Sequence, residues 1–202
     1  KISQDKSSLF GKIIEIEINN KKNQIVSLGH RNPLGLYFDE ENNIVISTDN
    51  GPKGGDEINV DIKPSRDNVK NFGWPISSYG VHIDNEFRPN LPLNKSHKDF
   101  GNIEPIKYFE NGIGISQIVK LNSLFSKNKN RSYFVSALGY DDSIKNGGRT
   151  IHHIELNETF EKLSFEEKII IGERIRDMII IDEYVYMTLE NTPSIGVLSK
   201  KN

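Results

Sequence analysis

The residues best suited to chemistry in this sequence are two arginines, Arg174 and Arg176, separated by one position. Alternate side chains of an extended strand share a face, so the two guanidiniums point the same way. Like charges on one face repel unless an anion lies between them, and arginine grips carboxylates through paired hydrogen bonds. The spacing therefore predicts a clamp for carboxylates. The alternative is a solvated strand edge that carries two arginines, because charged side chains are mostly exposed.

A second polar cluster, His30-Arg31-Asn32-Pro33, begins a similar segment. Pro33 disfavours the α conformation at Asn32 and so fixes the entry to the next strand. The segment from Arg31 to Asp39 resembles a later one that begins at Arg174, 143 positions further on. Each has a charged entry, an apolar strand and an Asp turn. This equivalence favours two corners that face one central axis, whereas a single corner would be interpreted as a turn.

The glycine-rich segment at residues 50–57, NGPKGGDE, suits a different ligand. No Gly-Lys-Ser/Thr follows it, so it does not match a phosphate-binding loop. Glycines let backbone carbonyls turn towards a ligand, and a hard cation such as Ca²⁺ prefers several oxygen ligands. A long hairpin loop is the alternative. His152 and His153 are adjacent on a predicted strand, so they face opposite sides and we interpret both as structural.

Composition limits the classes of protein to which this chain can belong. The 202 residues carry a formal net charge of -2, with 35% hydrophobic and 27% charged residues, which gives no field strong enough to predict nucleic-acid binding. Cysteine is absent, and no apolar run approaches the roughly 20 residues that span a bilayer. The chain opens KISQDKSSLFGK, without an initiator Met or a signal segment, so we expect a processed product or a fragment.

The elements that position these residues are predicted to be strands, because short runs rich in Ile, Val, Tyr and Phe recur between turn signals. The predicted strands are 12–18, 36–38, 43–48, 57–61, 106–109, 117–121, 133–137, 150–156, 168–171, 177–181, 184–189 and 196–198. A poorly patterned loop covers about 67–104, and a loop of that length is usually functional or wraps a rim.

The spacing of the two corners favours a β-propeller among all-β folds. Propeller blades run roughly 40 to 50 residues, so a separation of 143 residues corresponds to about three blades. A dozen strands make three four-stranded blades, with a partial fourth. A β-sandwich is the alternative, but it would not explain equivalent charged corners so far apart. We expect one partial propeller domain over 1–202.

Several motifs together resemble the glucose/sorbosone dehydrogenase family, the aldose dehydrogenases that use pyrroloquinoline quinone. The motifs are Gly29-His30-Arg31-Asn32-Pro33-x-Gly35-Leu36, Gly51-Pro52-x-Gly54-Gly55-Asp56-Glu57-Ile58-Asn59, Asn71-Phe72-Gly73-Trp74-Pro75, Ser78-Tyr79-Gly80, Tyr133-Phe134-Val135-x-Ala137-Leu138 and Arg174-Ile175-Arg176-Asp177. The resemblance covers nearly the whole chain. It implies a six-bladed β-propeller, of which this chain supplies the last three to four blades.

The resemblance also implies roles for particular residues. It assigns pyrroloquinoline quinone binding to Arg31, Asn32, Asn50, Arg174 and Arg176, and Ca²⁺ binding to the main-chain carbonyls of Gly51 and Pro52. We expect the four charged and amide side chains at the two corners to converge on one pocket at the propeller axis. The family's catalytic His precedes the segment that matches Gly11, so we expect no catalytic residue in this chain and no turnover by this chain alone.

The implied protein is an oxidoreductase of carbohydrate metabolism, a quinoprotein that oxidises an aldose at C1 and passes electrons to an acceptor. Its implied partners are a small-molecule sugar, with no nucleic acid and no membrane span, and its implied location is periplasmic or secreted. An incomplete ring leaves apolar blade faces uncovered, so we expect this chain alone to be unstable or to form a homo-oligomer.

Three positions differ from the family pattern and keep a rival hypothesis open. Leu34 stands where the family usually has Gln, Asn50 follows Asp49 where Glu-His or Glu-Gln is common, and Gly139 stands where a cofactor-contacting Lys is expected. Lys145 is a conceivable substitute for that Lys. These differences would be the signature of a non-catalytic propeller that serves as a ligand- or protein-binding module. A third hypothesis retains redox activity with a different cofactor or substrate.

Overall fold

The computed structural model describes residues 2–65, 67–82, 93–128, 130–139, 145 and 147–199. Within them the chain is almost entirely β-structure with two short 3₁₀ turns, Ile2–Gln4 and Lys98–Phe100. The strands are β1 (Lys12–Ile16), β2 (Asn23–Leu28), β3 (Pro33–Asp39), β4 (Ile44–Asp49), β5 (Asp56–Ile62), β6 (Lys70–Asn71), β7 (Lys107–Phe109), β8 (Ile115–Lys120), β9 (Ser132–Ala137), β10 (Thr150–Leu156), β11 (Leu163–Ile170), β12 (Ile175–Ile181), β13 (Tyr184–Leu189) and β14 (Ser194–Ser199). None of the helical segments in these ranges is long and apolar enough to cross a membrane.

The strands form four sheets that follow one another along the chain. Their orders are β1-β2-β6 in sheet I, β3-β4-β5-β7 in sheet II, β8-β9-β10-β11 in sheet III and β12-β13-β14 in sheet IV. Neighbouring strands are antiparallel except for β2 and β6, which run parallel. The prediction of successive antiparallel sheets is confirmed, although sheets I and IV contain three strands in the described part of the chain.

Apolar side chains between the sheets explain why they stack. One buried cluster joins sheets II and III and includes Ile46, Ile58, Ile118, Val135 and Ile154. A second cluster joins sheets III and IV. The alternation of strand side chains sends successive residues of β9 to different clusters, so sheet III is buried on both faces. Burial on both faces fixes the register of its strands.

The first strands of sheets II, III and IV lie side by side. A Cβ on Gly35 in β3 would be only 2.5 Å from the carbonyl oxygen of Ser116 in β8, so glycine permits the close approach of these strands. The same carbonyl accepts a hydrogen bond from the Thr48 hydroxyl. The Ser116 hydroxyl in turn donates to the Ile175 carbonyl of β12 at 2.7 Å. This chain of polar contacts brings the corners that precede β3 and β12 to the same end of the sheets.

The structure corrects the repeat in two respects. Its corners lie two sheets apart rather than three, because a long segment, residues 63–106, separates β5 from β7 within sheet II. Pro33 pairs with Asp49 and Ile175 pairs with Leu189, each followed by a β-bulge, so the first strands repeat at a spacing of 142 positions and not 143, and the second strands at 140. Asn32 therefore corresponds to Arg174, and Leu34 corresponds to Arg176.

The sequence prediction also missed three strand regions. Residues 23–28, which form β2, were not predicted to be a strand. Residues 70–71 lay in the predicted loop, but they form β6 by pairing with β2. The prediction placed only 168–171 of β11 in a strand. β11 is the outermost strand of sheet III and is mostly exposed, and edge strands commonly carry charged residues instead of an alternating apolar pattern.

A buried hydroxyl fastens sheets II and III at the end that bears the β3–β4 turn. The Tyr133 hydroxyl donates to Asp39 Oδ2 at 2.6 Å, and Lys120 Nζ donates to Asp39 Oδ1 at 2.9 Å. Burial alone would raise the pKa of Asp39, but the hydrogen bonds from Lys120 and Tyr133 lower it below its ordinary value. The carboxylate therefore joins the two sheets through Lys120 and Tyr133, and it also accepts hydrogen bonds from Asn42 in its own turn.

Removal of this hydroxyl tests its contribution to stability. We expect Tyr133→Phe to lower the free energy of unfolding by about 1.5–3 kcal/mol, because the variant loses a hydrogen bond to a charged group. Urea denaturation of the full-length protein measures the difference. Tyr184→Phe, at a tyrosine 38% exposed in β13, is the matched control and should change stability by less than about 0.5 kcal/mol. Equal effects of the two substitutions would contradict the assignment.

Glu166 gives the fold a defined acid sensitivity. Its carboxylate lies 3.1 Å from His152 Nδ1 and accepts a hydrogen bond from Lys107 Nζ at 2.7 Å. The hydrogen bond with His152 lowers the pKa of Glu166 most, from 4.5 to about 2, although burial opposes the shift. A carboxyl with a depressed pKa stabilises the folded state above its ordinary pKa, and that contribution is lost as the pH falls towards the lowered value.

The pH dependence of stability can therefore be predicted. The stability difference between the wild-type protein and Glu166→Gln should be constant above about pH 5 and should shrink between about pH 4.5 and about pH 2. Urea denaturation at a series of pH values measures it. Glu158→Gln, at an exposed glutamate, should show no such decline. A difference that is independent of pH down to 2 would be inconsistent with the ion pairs at Glu166.

Candidate functional site

Asp49 organises the corner that precedes β3. Its carboxylate accepts the backbone N–H of Arg31 at 2.9 Å and that of Asn32 at 2.7 Å. The backbone N–H of Asn50 donates to the Asn32 carbonyl at 3.0 Å. The end of β4 thus holds the entry to β3, which places Arg31, Asn32 and Asn50 together as the sequence predicts.

The Arg31 side chain lies over the site rather than in open solvent. Its Nη1 donates to the Asn50 carbonyl at 2.7 Å, and its guanidinium carbon lies 5.6 Å from the centroid of the Trp74 ring. A guanidinium over an indole face is attracted by the ring quadrupole. Trp74, which precedes a cis peptide bond to Pro75, is therefore part of the site wall. The contact between Trp74 and Arg31 was not predicted from the sequence, where Trp74 stood out only as part of a motif.

Asp56 fixes the glycine-rich loop. Its buried carboxylate accepts backbone N–H groups from Gly51 at 2.9 Å, Ile113 at 2.9 Å and Ile115 at 3.1 Å. Burial raises the pKa of Asp56, although these backbone donors oppose the shift. The loop that contains Gly51 and Pro52 is consequently joined to the segment that enters β8.

A cavity of about 470 Å³ opens beside this loop, a volume typical of small-molecule sites. Its lining residues come from the loop after β4 with the start of β5, from the segment after β6, and from the turn between β7 and β8. They are Asn50, Gly51, Pro52, Lys53, Gly54, Asp56, Tyr79, Val81, Glu110, Asn111, Gly112 and Gly114. Within the described ranges, no cluster of three or more His, Asp or Glu side chains is arranged to hold a metal ion.

Two buried histidines lie behind the corner, each beside a carboxylate. His97 Nε2 lies 3.2 Å from Glu57 Oε1, and its Nδ1 lies 2.9 Å from the Phe72 carbonyl. His30 Nδ1 lies 3.5 Å from Asp49 Oδ2, and its Nε2 lies 2.8 Å from the Ser27 hydroxyl. The sequence analysis did not predict the role of His97, because its partners come from distant segments.

The pKa of His97 depends on the neighbouring carboxylate of Glu57. Burial alone would lower the pKa of His97, but Glu57 more than compensates and raises it above its ordinary value. Burial raises the pKa of Glu57, opposed by His97. The two ring nitrogens of His97 lie close to the Phe72 carbonyl and the Glu57 carboxylate. The contact between His97 and Glu57 supports the site wall from behind.

Arg174 and Arg176, here called the arginine clamp, both contact a carboxylate of the chain itself. Glu190 Oε2 lies 2.9 Å from Arg176 Nη2 and 3.4 Å from Arg174 Nε. Arg174 Nη1 also donates to the Gly139 carbonyl. Glu190 was not among the predicted site residues, although its position after β13 matches that of Asn50 after β4. That correspondence could have identified it.

The two groups of site residues are connected through the backbone near Gly114. The N–H of Leu138 donates to the Gly114 carbonyl and that of Gly139 to the Ile113 carbonyl, both at 2.7 Å. Gly114 lines the cavity beside Gly51, and the Gly139 carbonyl holds Arg174. The arginine clamp and the glycine-rich loop thus lie on opposite sides of one short backbone segment. Lys145 is exposed, and residues 140–144 and 146 lie outside the described ones.

Four successive sheets define a β-propeller, and the first strands of sheets II, III and IV lie side by side with polar corners at one end. The chain belongs to the Glucose / Sorbosone dehydrogenase family, whose sequence pattern matches residues 2–195. This confirms the resemblance found in the sequence.

Individual relatives agree with the family. The chain is 26% identical over 217 residues to Aldose sugar dehydrogenase YliI of Escherichia coli (strain K12), covering 99% of this chain and 54% of the relative. It is 31% identical over 110 residues to Quinoprotein glucose dehydrogenase B of Acinetobacter calcoaceticus, covering 48% and 22%. A crystal structure of a glucose dehydrogenase superposes with a TM-score of 0.75 at 24% identity, covering 99% of this chain and 57% of that chain. This chain spans about half the length of its first relatives.

The site geometry gives one further prediction about Asp56. We expect Asp56→Ala to lower the free energy of unfolding by about 2–4 kcal/mol, because three backbone N–H groups lose their acceptor. Urea denaturation of the full-length protein measures the loss. Asp99→Ala, at an exposed aspartate, is the control and should be nearly neutral. Identical stability of Asp56→Ala and the wild type would show that the loop is not held by this carboxylate.

Proposed function

We propose that the intact protein that contains this chain oxidises an aldose at C1, with pyrroloquinoline quinone as its bound electron acceptor. The observation that carries the proposal is that Arg174 and Arg176 converge on one carboxylate oxygen in a chain that belongs to the glucose/sorbosone dehydrogenase family. A clamp with this geometry suits a cofactor that carries carboxylates. The names of the relatives, aldose sugar dehydrogenase and quinoprotein glucose dehydrogenase, support the same class.

The residues present fit the proposed cofactor. Those that would hold it are Arg31, Asn32, Asn50, Arg174 and Arg176, and their cations and amides match an anionic, carbonyl-rich ligand. Arg31 is already oriented by the Asn50 carbonyl and by Trp74, so little side-chain freedom would be lost on binding. When bound, pyrroloquinoline quinone supplies a two-electron acceptor for the hydride that leaves C1 of the sugar.

We also propose a Ca²⁺ ion held by the main-chain carbonyls of Gly51 and Pro52. The support is chemical: Ca²⁺ accepts backbone carbonyl ligands, and Asp56 fixes this loop through the Gly51 N–H. When bound, the ion supplies Lewis-acid polarisation. The task of this chain would be to hold the cofactor, orient it and exclude water from its buried side.

The proton acceptor for the sugar hydroxyl is proposed to come from a part of the intact protein outside this chain. His30 and His97, which lie beside the site, are each buried and already face a carboxylate. Neither is exposed to a sugar in the cavity. The proposed substrate is a small sugar, the proposed location is periplasmic or secreted, and the electron acceptor is external.

A second candidate function follows from Glu190. Because this carboxylate already neutralises the clamp, the chain has less need of an external anion than two unpaired arginines would have. Together with Leu34 and Gly139, this favours a non-catalytic propeller that binds a ligand or a protein. The two candidates differ in whether the intact protein binds pyrroloquinoline quinone.

Reconstitution of the full-length protein separates the two candidates. With Ca²⁺ and pyrroloquinoline quinone we expect cofactor absorbance and dye reduction with aldoses. Arg176→Ala should weaken cofactor binding by about tenfold or more, because one charged contact contributes roughly 1.5–3 kcal/mol. It should change the relative rates with different sugars less than it changes cofactor affinity.

The matched control is Arg131→Ala, at an arginine whose guanidinium lies 3.8 Å from the exposed Glu158, far from the clamp in the chain. It should leave cofactor affinity within about twofold of the wild-type value. A correctly folded wild-type protein that does not bind the quinone at micromolar concentration would favour the non-catalytic propeller. Equal losses for Arg131→Ala and Arg176→Ala would contradict the clamp.

A further inference from the structure

Glu190 occupies the arginine clamp from a fixed backbone position. Its N–H donates to the Arg174 carbonyl at 2.9 Å, directly after β13. A single carboxylate oxygen, Oε2, then serves both guanidiniums, at 2.9 Å from Arg176 and 3.4 Å from Arg174. The chain therefore presents its own carboxylate where the clamp would receive one from a ligand.

The three side chains differ in their freedom to exchange partners. Arg174 is 23% exposed and is also tied to the Gly139 carbonyl, so it is the fixed member of the clamp. Arg176 is 53% exposed and Glu190 is 40% exposed. Both can therefore reach solvent by rotation of their side chains, and an ion pair so exposed is weak compared with a buried one. The contact is strong enough to order the clamp and weak enough to be replaced.

The charges make displacement necessary when an anion binds. With Glu190 in place the clamp has a net charge of only one positive unit, from two arginines and one glutamate. A ligand carboxylate that enters would meet both guanidiniums and also the Glu190 carboxylate, which repels it. Like charges at close range are unfavourable, so the Glu190 side chain must leave for the ligand to gain both arginine contacts.

We propose that Glu190 is an internal competitor that fills the arginine clamp in the ligand-free protein and is displaced by a carboxylate of the cofactor. The identity of the ligand as pyrroloquinoline quinone rests on the proposed function; the competition itself does not. In the empty protein Glu190 prevents repulsion between the arginines and keeps them aligned. Because Glu190 must be displaced, it lowers the affinity of the clamp for the cofactor. Glu190 therefore sets the cofactor concentration at which the site fills.

The experiment compares the full-length wild-type protein with Glu190→Gln, which keeps the shape of the side chain and removes its charge. Glu183→Gln is the matched control, because it makes the same change in net charge at an exposed residue at the opposite end of sheet IV. Cofactor affinity is measured by titration with pyrroloquinoline quinone in Ca²⁺ buffer. We expect Glu190→Gln to bind it roughly threefold to tenfold more tightly than either the wild type or Glu183→Gln.

A second measurement needs neither the quinone nor activity. Thermal unfolding is followed without ligand and with citrate, a tricarboxylate that carries no quinone. Without ligand, Glu190→Gln should melt at a lower temperature than the wild type, because the arginines are left unneutralised. Citrate should then raise the melting temperature of Glu190→Gln by more than it raises that of the wild type or of Glu183→Gln.

The two measurements keep this inference separate from the proposed function. If no variant binds the quinone but citrate stabilises Glu190→Gln selectively, the proposed function fails and the competition stands. If Glu190→Gln binds the quinone equally or less tightly and citrate does not favour it, Glu190 is not a competitor and the inference is wrong. Should Glu190→Gln fail to fold, Glu190→Asp retains the charge but shortens the side chain, and tighter binding by this variant than by the wild type is the expected result.

Discussion

The buried carboxylate of Asp56 needs hydrogen-bond donors, and the backbone groups that donate to it fix much of the structure at the site end of the molecule. A carboxylate that is 2% exposed is costly unless donors surround it. Here the donors are backbone N–H groups from the loop after β4 and from the entry to β8. Sheets II and III are therefore joined at one point by main-chain groups, which cannot rotate away as side chains can. The glycine-rich loop acquires its position from that junction.

A carboxylate stabilises each of the two corners, but the two carboxylates bind different groups. At the first corner, Asp49 binds the backbone before β3 and leaves the Arg31 guanidinium to the Asn50 carbonyl and Trp74. At the second corner, Glu190 binds the guanidiniums themselves. The corners share a backbone hydrogen bond from the residue after the second strand to the residue before the first. They are thus equivalent in structure but not in electrostatics, since the carboxylate of the first corner binds backbone N–H groups and that of the second binds guanidiniums.

Local pattern predicted the elements well wherever a strand buries apolar side chains. β4, β9, β10 and β13 were each predicted within one residue or two of their observed ends, because their Ile, Val and Tyr residues alternate between two packed faces. β6 and β11 were missed or truncated because they lie at sheet edges, and β6 also depends on pairing with a distant strand. β2, the central strand of sheet I, was missed as well. A two-residue strand such as β6 is too short to produce a recognisable pattern of apolar and polar residues.

The sequence by itself determined the all-β class, the family, and the closeness of Arg174 to Arg176 and of Arg31 to Asn32 along the chain. These follow from residue types and short spacings, which the chain carries in any conformation. Only the tertiary structure decided the register of the repeat, and a shift of one residue changes which side chains correspond, so that Arg176 matches Leu34. Only the tertiary structure placed Trp74 beside Arg31, His97 beside Glu57 and Glu190 within the clamp. Each of these contacts joins segments that sheet stacking or a β-bulge brings together. The stacking energy comes from many side chains at once, so no short stretch of sequence predicts these contacts.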